Sequence, residues 1–113
     1  MSDAPLLSEA FPELADELRT LLKAQEEEAL ASEVVGLRII ERCQCGDDFC
    51  ATMYTVPKPK GAWRSGHNTF DLDAESGTIL LDVVHDKIAE IEILNRDEIR
   101  NKLNVLIPLV KSV

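Results

Sequence analysis

Apolar side chains recur at three- and four-residue steps through the first third of the chain, with acidic residues between them. This spacing places them on one stripe of an amphipathic helix. The stripe is formed by Leu7, Phe11, Leu14, Leu18, Leu21 and Leu22. Ser8 is a suitable N-cap and Pro12 falls in the first turn, where its missing N–H costs little, so we predict a helix over residues 8–25. Residues 29–35 are predicted to continue this helix or to form a second short one before Gly36.

After Gly36 the apolar and polar residues alternate with a period of two. This alternation, interrupted by turn residues, is typical of β-strands. We predict five strands, over residues 37–43, 51–56, 67–72, 78–84 and 87–94. Short turns join the last three, which indicates an antiparallel meander. Asn95 and Glu98 have the spacing of a capping box and predict a last helix over residues 96–107.

Together these elements predict an α+β fold. An N-terminal amphipathic helix is expected to pack on a five-stranded, mostly antiparallel β-meander, with a short C-terminal helix closing the core. The length of 113 residues fits a single domain. Its helical segment, its meander and its C-terminal helix with a tail are expected at residues 1–35, 36–94 and 95–113.

The negative charge of the chain is concentrated near its start. The formal net charge is −9, and residues 1–33 hold nine acidic residues against Arg19 and Lys23. An acidic surface repels nucleic-acid phosphates and anionic lipids, so we expect neither nucleic acid nor a membrane as partner, and a basic protein as the conceivable one. A solvated helix face kept soluble by its charge explains the same pattern. An exposed edge strand leaves both a monomer and a homodimer open.

The sequence carries no pattern of a signal peptide and no apolar run of the ~20 residues that cross a bilayer. A cytoplasmic protein is therefore expected. In that compartment its three cysteines would be reduced thiols or metal ligands.

All three cysteines lie in residues 43–50, which read CQCGDDFC. Cys43 and Cys45 are two apart in extended chain at the end of the first predicted strand and point the same way, and the turn after them can bring Cys50 back to meet them. Three thiolates close together suit a zinc ion. A closed structural site needs a fourth ligand, for which His67 is the first choice.

The cysteine motif is also compatible with roles that do not involve a metal site completed by His67. Asp47 or Asp48 could replace His67 as the fourth ligand, and three buried thiols can also pack simply as small apolar groups. Cys45 and Cys50 could form a disulfide in a redox switch, although the neighbouring aspartates are expected to raise their pKa values. A nucleophilic enzyme would need one cysteine beside His67 or His85, together with an orienting group and an oxyanion site.

The long loop over residues 57–66 holds the only tryptophan, Trp63. With Lys60 and Arg64 beside it, Trp63 is either an exposed contact for a partner or a lid that folds over the sheet edge. The basic residues of this loop are too few for nucleic-acid binding in a chain of this charge.

Five short stretches carry a resemblance to known proteins. They are residues 43–50 (CQCGDDFC), 54–55 (YT), 66–67 (GH), 79–84 (ILLDVV) and 92–94 (EIL). With them the chain resembles an uncharacterised family of small bacterial proteins, and its C-terminal half is similar to short β-rich bacterial domains of unknown function. The resemblance implies the fold and the unity of the cysteine motif with His67, and it implies no activity.

Two functions follow as hypotheses. The first is a non-enzymatic protein-binding domain, because no catalytic constellation stands out and a charged single domain suits such work. The alternative is a zinc-binding or thiol-redox domain centred on Cys43, Cys45 and Cys50, with His67 as a further ligand.

Overall fold

The computed structural model describes residues 4–61, 63 and 65–110. It shows the predicted α+β fold, with helices at the start, a five-stranded sheet and a short helix at the end. In chain order the elements are α1 (Leu7–Ala10), α2 (Pro12–Ala24), α3 (Glu28–Glu33), a 3₁₀ turn (Val34–Gly36), β1 (Glu41–Arg42), β2 (Met53–Tyr54), β3 (His67–Asp71), β4 (Thr78–Val84), β5 (Lys87–Leu94) and α4 (Asp97–Leu106). Among the described residues, no helix combines the length and the apolar character needed to span a bilayer.

The sheet is antiparallel throughout, with the strand order β1-β2-β5-β4-β3. The predicted meander of the last three strands is confirmed. The β1–β2 hairpin does not continue into β3, however, because β2 pairs with β5 instead. The long loop after β2 therefore carries the chain across to the far edge of the sheet, where β3 lies.

The N-terminal helix is broken, whereas the apolar stripe predicted one helix over residues 8–25. Phe11 leaves the helical region, with φ −133° and ψ 67°, and Pro12 begins α2. A proline ring disfavours helical backbone in the residue before it, which explains the break. The predicted cap at Ser8 is also wrong, since Leu6 precedes α1 and no side chain caps it.

The first predicted strand is much shorter than expected. Its first half pairs with the N-terminal segment, because Arg38 forms a bridge with Leu6 and the N–H of Ile39 donates to the carbonyl of Pro5 at 2.8 Å. Only Glu41–Arg42 remains to pair with β2. The predicted bounds of β4 and β5 are confirmed residue for residue.

The capping box predicted for the last helix is absent. Asn95 lies in the left-handed region with φ 61°, and its N–H donates to the carbonyl of Phe49 at 2.9 Å. Glu98 instead accepts a hydrogen bond from Arg96 at 2.8 Å. The guanidinium of Arg96 also donates two hydrogen bonds of 2.8 Å to Glu17, so α4 is tied to α2 by a bidentate ion pair.

One face of the sheet forms the core together with the helices. Leu18 and Leu22 of α2, Leu81 and Ile91 of the sheet and Leu103 of α4 are all fully buried in one cluster. The opposite face carries the polar side chains that form the candidate site. Because side chains alternate along β4 and β5, the apolar side chains lie on the core face and the polar ones on the opposite face.

Leu18→Ala tests the packing of the N-terminal helix on the sheet. Leu18 has no exposed surface, so its truncation leaves a cavity and should lower the free energy of unfolding by about 2–5 kcal/mol. Val105→Ala, at a side chain that is 82% exposed, is the control and should change it by less than about 0.5 kcal/mol. Urea unfolding measures both, and equal small effects would contradict the assigned core.

Candidate metal centre

The β1–β2 hairpin brings the three cysteines together. Cys43 directly follows β1, and its N–H donates to the carbonyl of Thr52 at 2.9 Å. Gly46 turns the chain with φ 78°, a conformation that glycine adopts without strain. Cys50 then pairs with Leu94 in an isolated bridge at the end of β5. The loop is thus anchored at both ends by the sheet.

The ligand atoms of Cys43, Cys45 and Cys50, hereafter the cysteine cluster, all lie within 4.8 Å of one another. Cys50 is buried, Cys43 is half-buried and Cys45 is exposed. A tetrahedral zinc ion with Zn–S bonds of about 2.3 Å holds its sulfurs about 3.8 Å apart. Small side-chain movements are therefore enough for the three sulfurs to hold a metal ion.

Cys50 is the sulfur best prepared to be a thiolate. Burial raises the pKa of its thiol, but hydrogen bonds from the hydroxyl and backbone N–H of Thr52 and from the other two thiols outweigh burial, so the pKa is lowered. The Thr52 oxygen also accepts the N–H of Ile93 at 3.2 Å, which orients the hydroxyl hydrogen away from that donor. The sheet thereby fixes the group that stabilises the sulfur.

Cys45 behaves in the opposite way. A hydrogen bond from the backbone of Asp47 lowers the pKa of its thiol, but partial desolvation of the sulfur and the two neighbouring thiols have the larger effect and raise the pKa to about 12. The sequence led us to expect that the aspartates would raise the thiol pKa values, whereas the interaction that Asp47 makes acts in the other direction. A metal ion must therefore displace the proton of Cys45.

A buried arginine lies close to the cysteine cluster. Arg42 is only 4% exposed, and its guanidinium donates to the side chain of Asn104 at 2.5 Å and to the carbonyl of Ile107 at 3.2 Å. Burial lowers its pKa, while the charge of the Cys50 thiolate opposes that shift. This fixed positive charge favours thiolates nearby.

His67 does not join the cysteine cluster. It lies on β3, and its Nε2–H donates to Oδ1 of Asp82 at 2.7 Å. No fourth His, Cys, Asp or Glu completes the group in the part of the chain that the structure describes, and Asp47 and Asp48 are exposed outside it. A metal held by the cysteine cluster therefore keeps an open coordination position.

His85 is a turn residue. Its φ is 50°, and its ring would come within 2.7 Å of a Cβ atom at position 66, so it packs over Gly66 and belongs to neither group of possible ligands.

A second polar group, which the sequence pattern did not lead us to expect, lies on the same face of the sheet. Carboxylate oxygens of Asp82, Glu90 and Glu92, hereafter the carboxylate cluster, lie within 4.8 Å of one another. Asp82 of β4 is directly opposite Glu90 of β5, and Glu92 is two residues along. The alternation along residues 87–94 predicts that Glu90 and Glu92 face water, but both are half-buried. The sequence signal for this cluster was a pair of acidic residues two apart on one strand of a predicted hairpin, opposite a third acidic residue on the other strand.

The long loop covers this face. Trp63 is half-buried, its Nε1–H donates to Glu90 at 3.2 Å, and its ring centroid lies 6.5 Å from that of Tyr54 and 6.2 Å from that of His67. Trp63 is thus a lid over the polar face. Lys60 is exposed and Arg64 lies outside the described residues, so the role of this loop in partner contact stays a prediction.

The three carboxyl groups of the carboxylate cluster have different pKa values. The pKa of Glu92 is raised to about 8 by its hydrogen bond with Asp82, together with burial and the charges of Asp82 and Glu90. Burial raises the pKa of Asp82 less than hydrogen bonds from Glu92, His67 and Thr69 lower it. Burial also raises the pKa of Glu90. At neutral pH Asp82 and Glu92 therefore share one proton.

Comparison with known proteins adds nothing to this geometry. No family model, curated protein or solved structure matches the chain. The resemblance to a family of small bacterial proteins stays a prediction, and the function has to be argued from the two clusters.

The raised pKa of Glu92 predicts a pH dependence of stability for metal-free protein kept in chelator. Between the ordinary pKa of about 4.5 and the folded value of about 8 the folded state holds more protons than the unfolded chain, so the free energy of unfolding should fall as pH rises through this window. Glu92→Gln cannot lose a proton and should flatten the curve, with a residual slope from Glu90. Urea unfolding at several pH values measures this. Stability that rises over the window, or an unchanged slope in the variant, would contradict the assignment.

Proposed function

We propose that the protein binds a zinc ion through the thiolates of Cys43, Cys45 and Cys50. The observation that carries the proposal is the convergence of these three sulfurs within 4.8 Å at one end of the sheet. Thiolate ligands select soft or borderline ions such as zinc over calcium or magnesium. Zinc accepts three protein ligands with water or another molecule in the fourth position, which fits a group of three cysteines.

The local structure indicates that such an ion would stabilise the β1–β2 hairpin. Strands β1 and β2 are only two residues long each, so few ladder hydrogen bonds hold the hairpin that carries residues 43–50. An ion bound to Cys43, Cys45 and Cys50 would cross-link both arms of this hairpin. Zinc binding of this kind contributes directly to the stability of the fold.

The protein-binding hypothesis is compatible with this proposal. Phe49 is 43% exposed in residues 43–50, hereafter the cysteine loop, so an ion that orders this loop also fixes an apolar side chain at the surface. We retain a cytoplasmic protein partner as an expectation from the acidic composition, with the cysteine loop and the α2 face as the surfaces to test first.

The lowered pKa of Cys50 favours a second candidate function, thiol–disulfide exchange. The Cys50 thiolate would attack one sulfur of glutathione disulfide and expel a glutathione thiolate. The Cys45 thiol, after losing its proton to solvent, would then attack the mixed disulfide, giving a Cys45–Cys50 disulfide and a second glutathione thiolate. Starting from the Cys50 thiolate, the protein would lose two electrons and one proton in total, and two glutathione thiolates would be released.

Metal analysis of protein purified without chelator tests the zinc proposal. We expect one zinc per chain, and each cysteine-to-serine variant should lose at least ~100-fold in zinc affinity, because even partners outside the ligand shell are worth up to that much. Cobalt substitution should give a thiolate-to-metal absorption band. His67→Gln is the matched control and should keep both the zinc and the band, since His67 bonds to Asp82 instead.

Three outcomes would overturn or redirect this proposal. Metal-free protein with three freely titrating thiols would contradict the zinc proposal. A His67→Gln variant that loses zinc as completely as the serine variants would show a different ligand set. Metal-free protein that accumulates a Cys45–Cys50 disulfide in glutathione disulfide would support the redox function in its place.

A further inference from the structure

We propose that Asp82, Glu90 and Glu92 form a second metal site, which binds a divalent cation of the oxygen-preferring class. The site is separate from the cysteine cluster and does not depend on the zinc proposal. Its elements are the two longest strands of the sheet, so the position of its ligands is set by regular backbone.

The strand register fixes the positions of these three carboxylates. Asp82 and Glu90 are direct partners across the β4–β5 ladder, and Glu92 points to the same face two residues further on. Their oxygens lie within 4.8 Å of one another, and the side chain of Asp82 is only 4% exposed. Like charges held this close and partly out of water need either a shared proton or a positive charge between them.

Asp82 supplies the observation that points to a bound ligand. Its Oδ1 atom accepts hydrogen bonds from His67 at 2.7 Å and from Thr69 at 2.8 Å. Its Oδ2 atom is buried and has no donor of its own. The neighbouring Glu92 carboxyl group can serve Oδ2 only while it carries a proton, because two carboxylates are both acceptors. The oxygen therefore needs either that proton or a cation.

The donor set indicates which cation fits. All three ligands are carboxylates, and calcium, magnesium and manganese prefer oxygen, whereas thiolates take the softer metals. Hydrogen bonds from His67 to Asp82 and from Trp63 to Glu90 hold the carboxylates in place from outside, as the outer partners of metal ligands commonly do. Glu90 and Glu92 are half-buried, which leaves a path from solvent.

Terbium(III) luminescence is a direct test, because the single tryptophan of the chain, Trp63, lies on the site and can transfer energy to a bound ion. We expect saturable luminescence that calcium and manganese displace. Glu90→Gln and Glu92→Gln should each weaken terbium binding by ~10-fold or more. Glu75→Gln makes the same charge change at an exposed residue and should leave the affinity within about twofold.

Two further variants keep the result unambiguous. Trp63→Phe should abolish the luminescence that is excited through tryptophan at wavelengths where Tyr54 does not absorb, while calorimetry still detects terbium binding. The triple variant Cys43→Ser, Cys45→Ser, Cys50→Ser should keep its terbium affinity, so that failure of one site is not mistaken for failure of the other. Circular dichroism of each variant confirms that it is folded.

Equal weakening by Glu92→Gln and Glu75→Gln would overturn the proposal in favour of adsorption to an acidic surface. The absence of saturable binding in folded wild-type protein would also overturn it, and would leave the shared proton as the only occupant of the Asp82–Glu92 pair.

Discussion

The pairing of β2 with β5 is the interaction that joins the cysteine cluster and the carboxylate cluster in one sheet. It involves few residues, with Met53 opposite Ile91 and Tyr54 opposite Glu90. This register attaches the short cysteine hairpin to the longest strand of the sheet. It also places Thr52 beside the end of β5, where the hydroxyl group both accepts the N–H of Ile93 and stabilises the Cys50 thiolate. Without this pairing the cysteine loop would have only the two-residue β1 strand to hold it.

Side-chain alternation along β4 and β5 gives this sheet an apolar face and a polar face. The inner face is apolar and meets α2 and α4, as the burial of Leu18, Ile91 and Leu103 shows. The outer face runs from the cysteine cluster to the carboxylate cluster and is covered by Trp63. Negative charge accumulates along this outer face. The charge of the Cys50 sulfur is one of the causes that raise the pKa of Glu92. Arg42 near the sulfurs and His67 beside Asp82 are the cationic or donor groups that offset it.

Local pattern was enough to predict the parts of the structure that rest on local physics. The period-two alternation predicted β4 and β5 to the residue, and the i, i+2 spacing of Cys43 and Cys45 with a turn before Cys50 predicted the convergence of the sulfurs. Long-range pairing was not accessible in this way. The position of His67 depends on where the long loop returns to the sheet, which its proline and glycine content does not define. The carboxylate cluster was missed for a related reason, since Glu90 is covered by Trp63 of the same long loop.

X-ray absorption at the zinc edge of the purified protein tests the central claim most directly, because it reports the atoms bound to the metal. Three sulfur neighbours at about 2.3 Å and one lighter oxygen neighbour are the predicted result, with an open position occupied by water. A shell dominated by nitrogen and oxygen, or one that includes an imidazole ring from His67, would contradict a site built from Cys43, Cys45 and Cys50 alone.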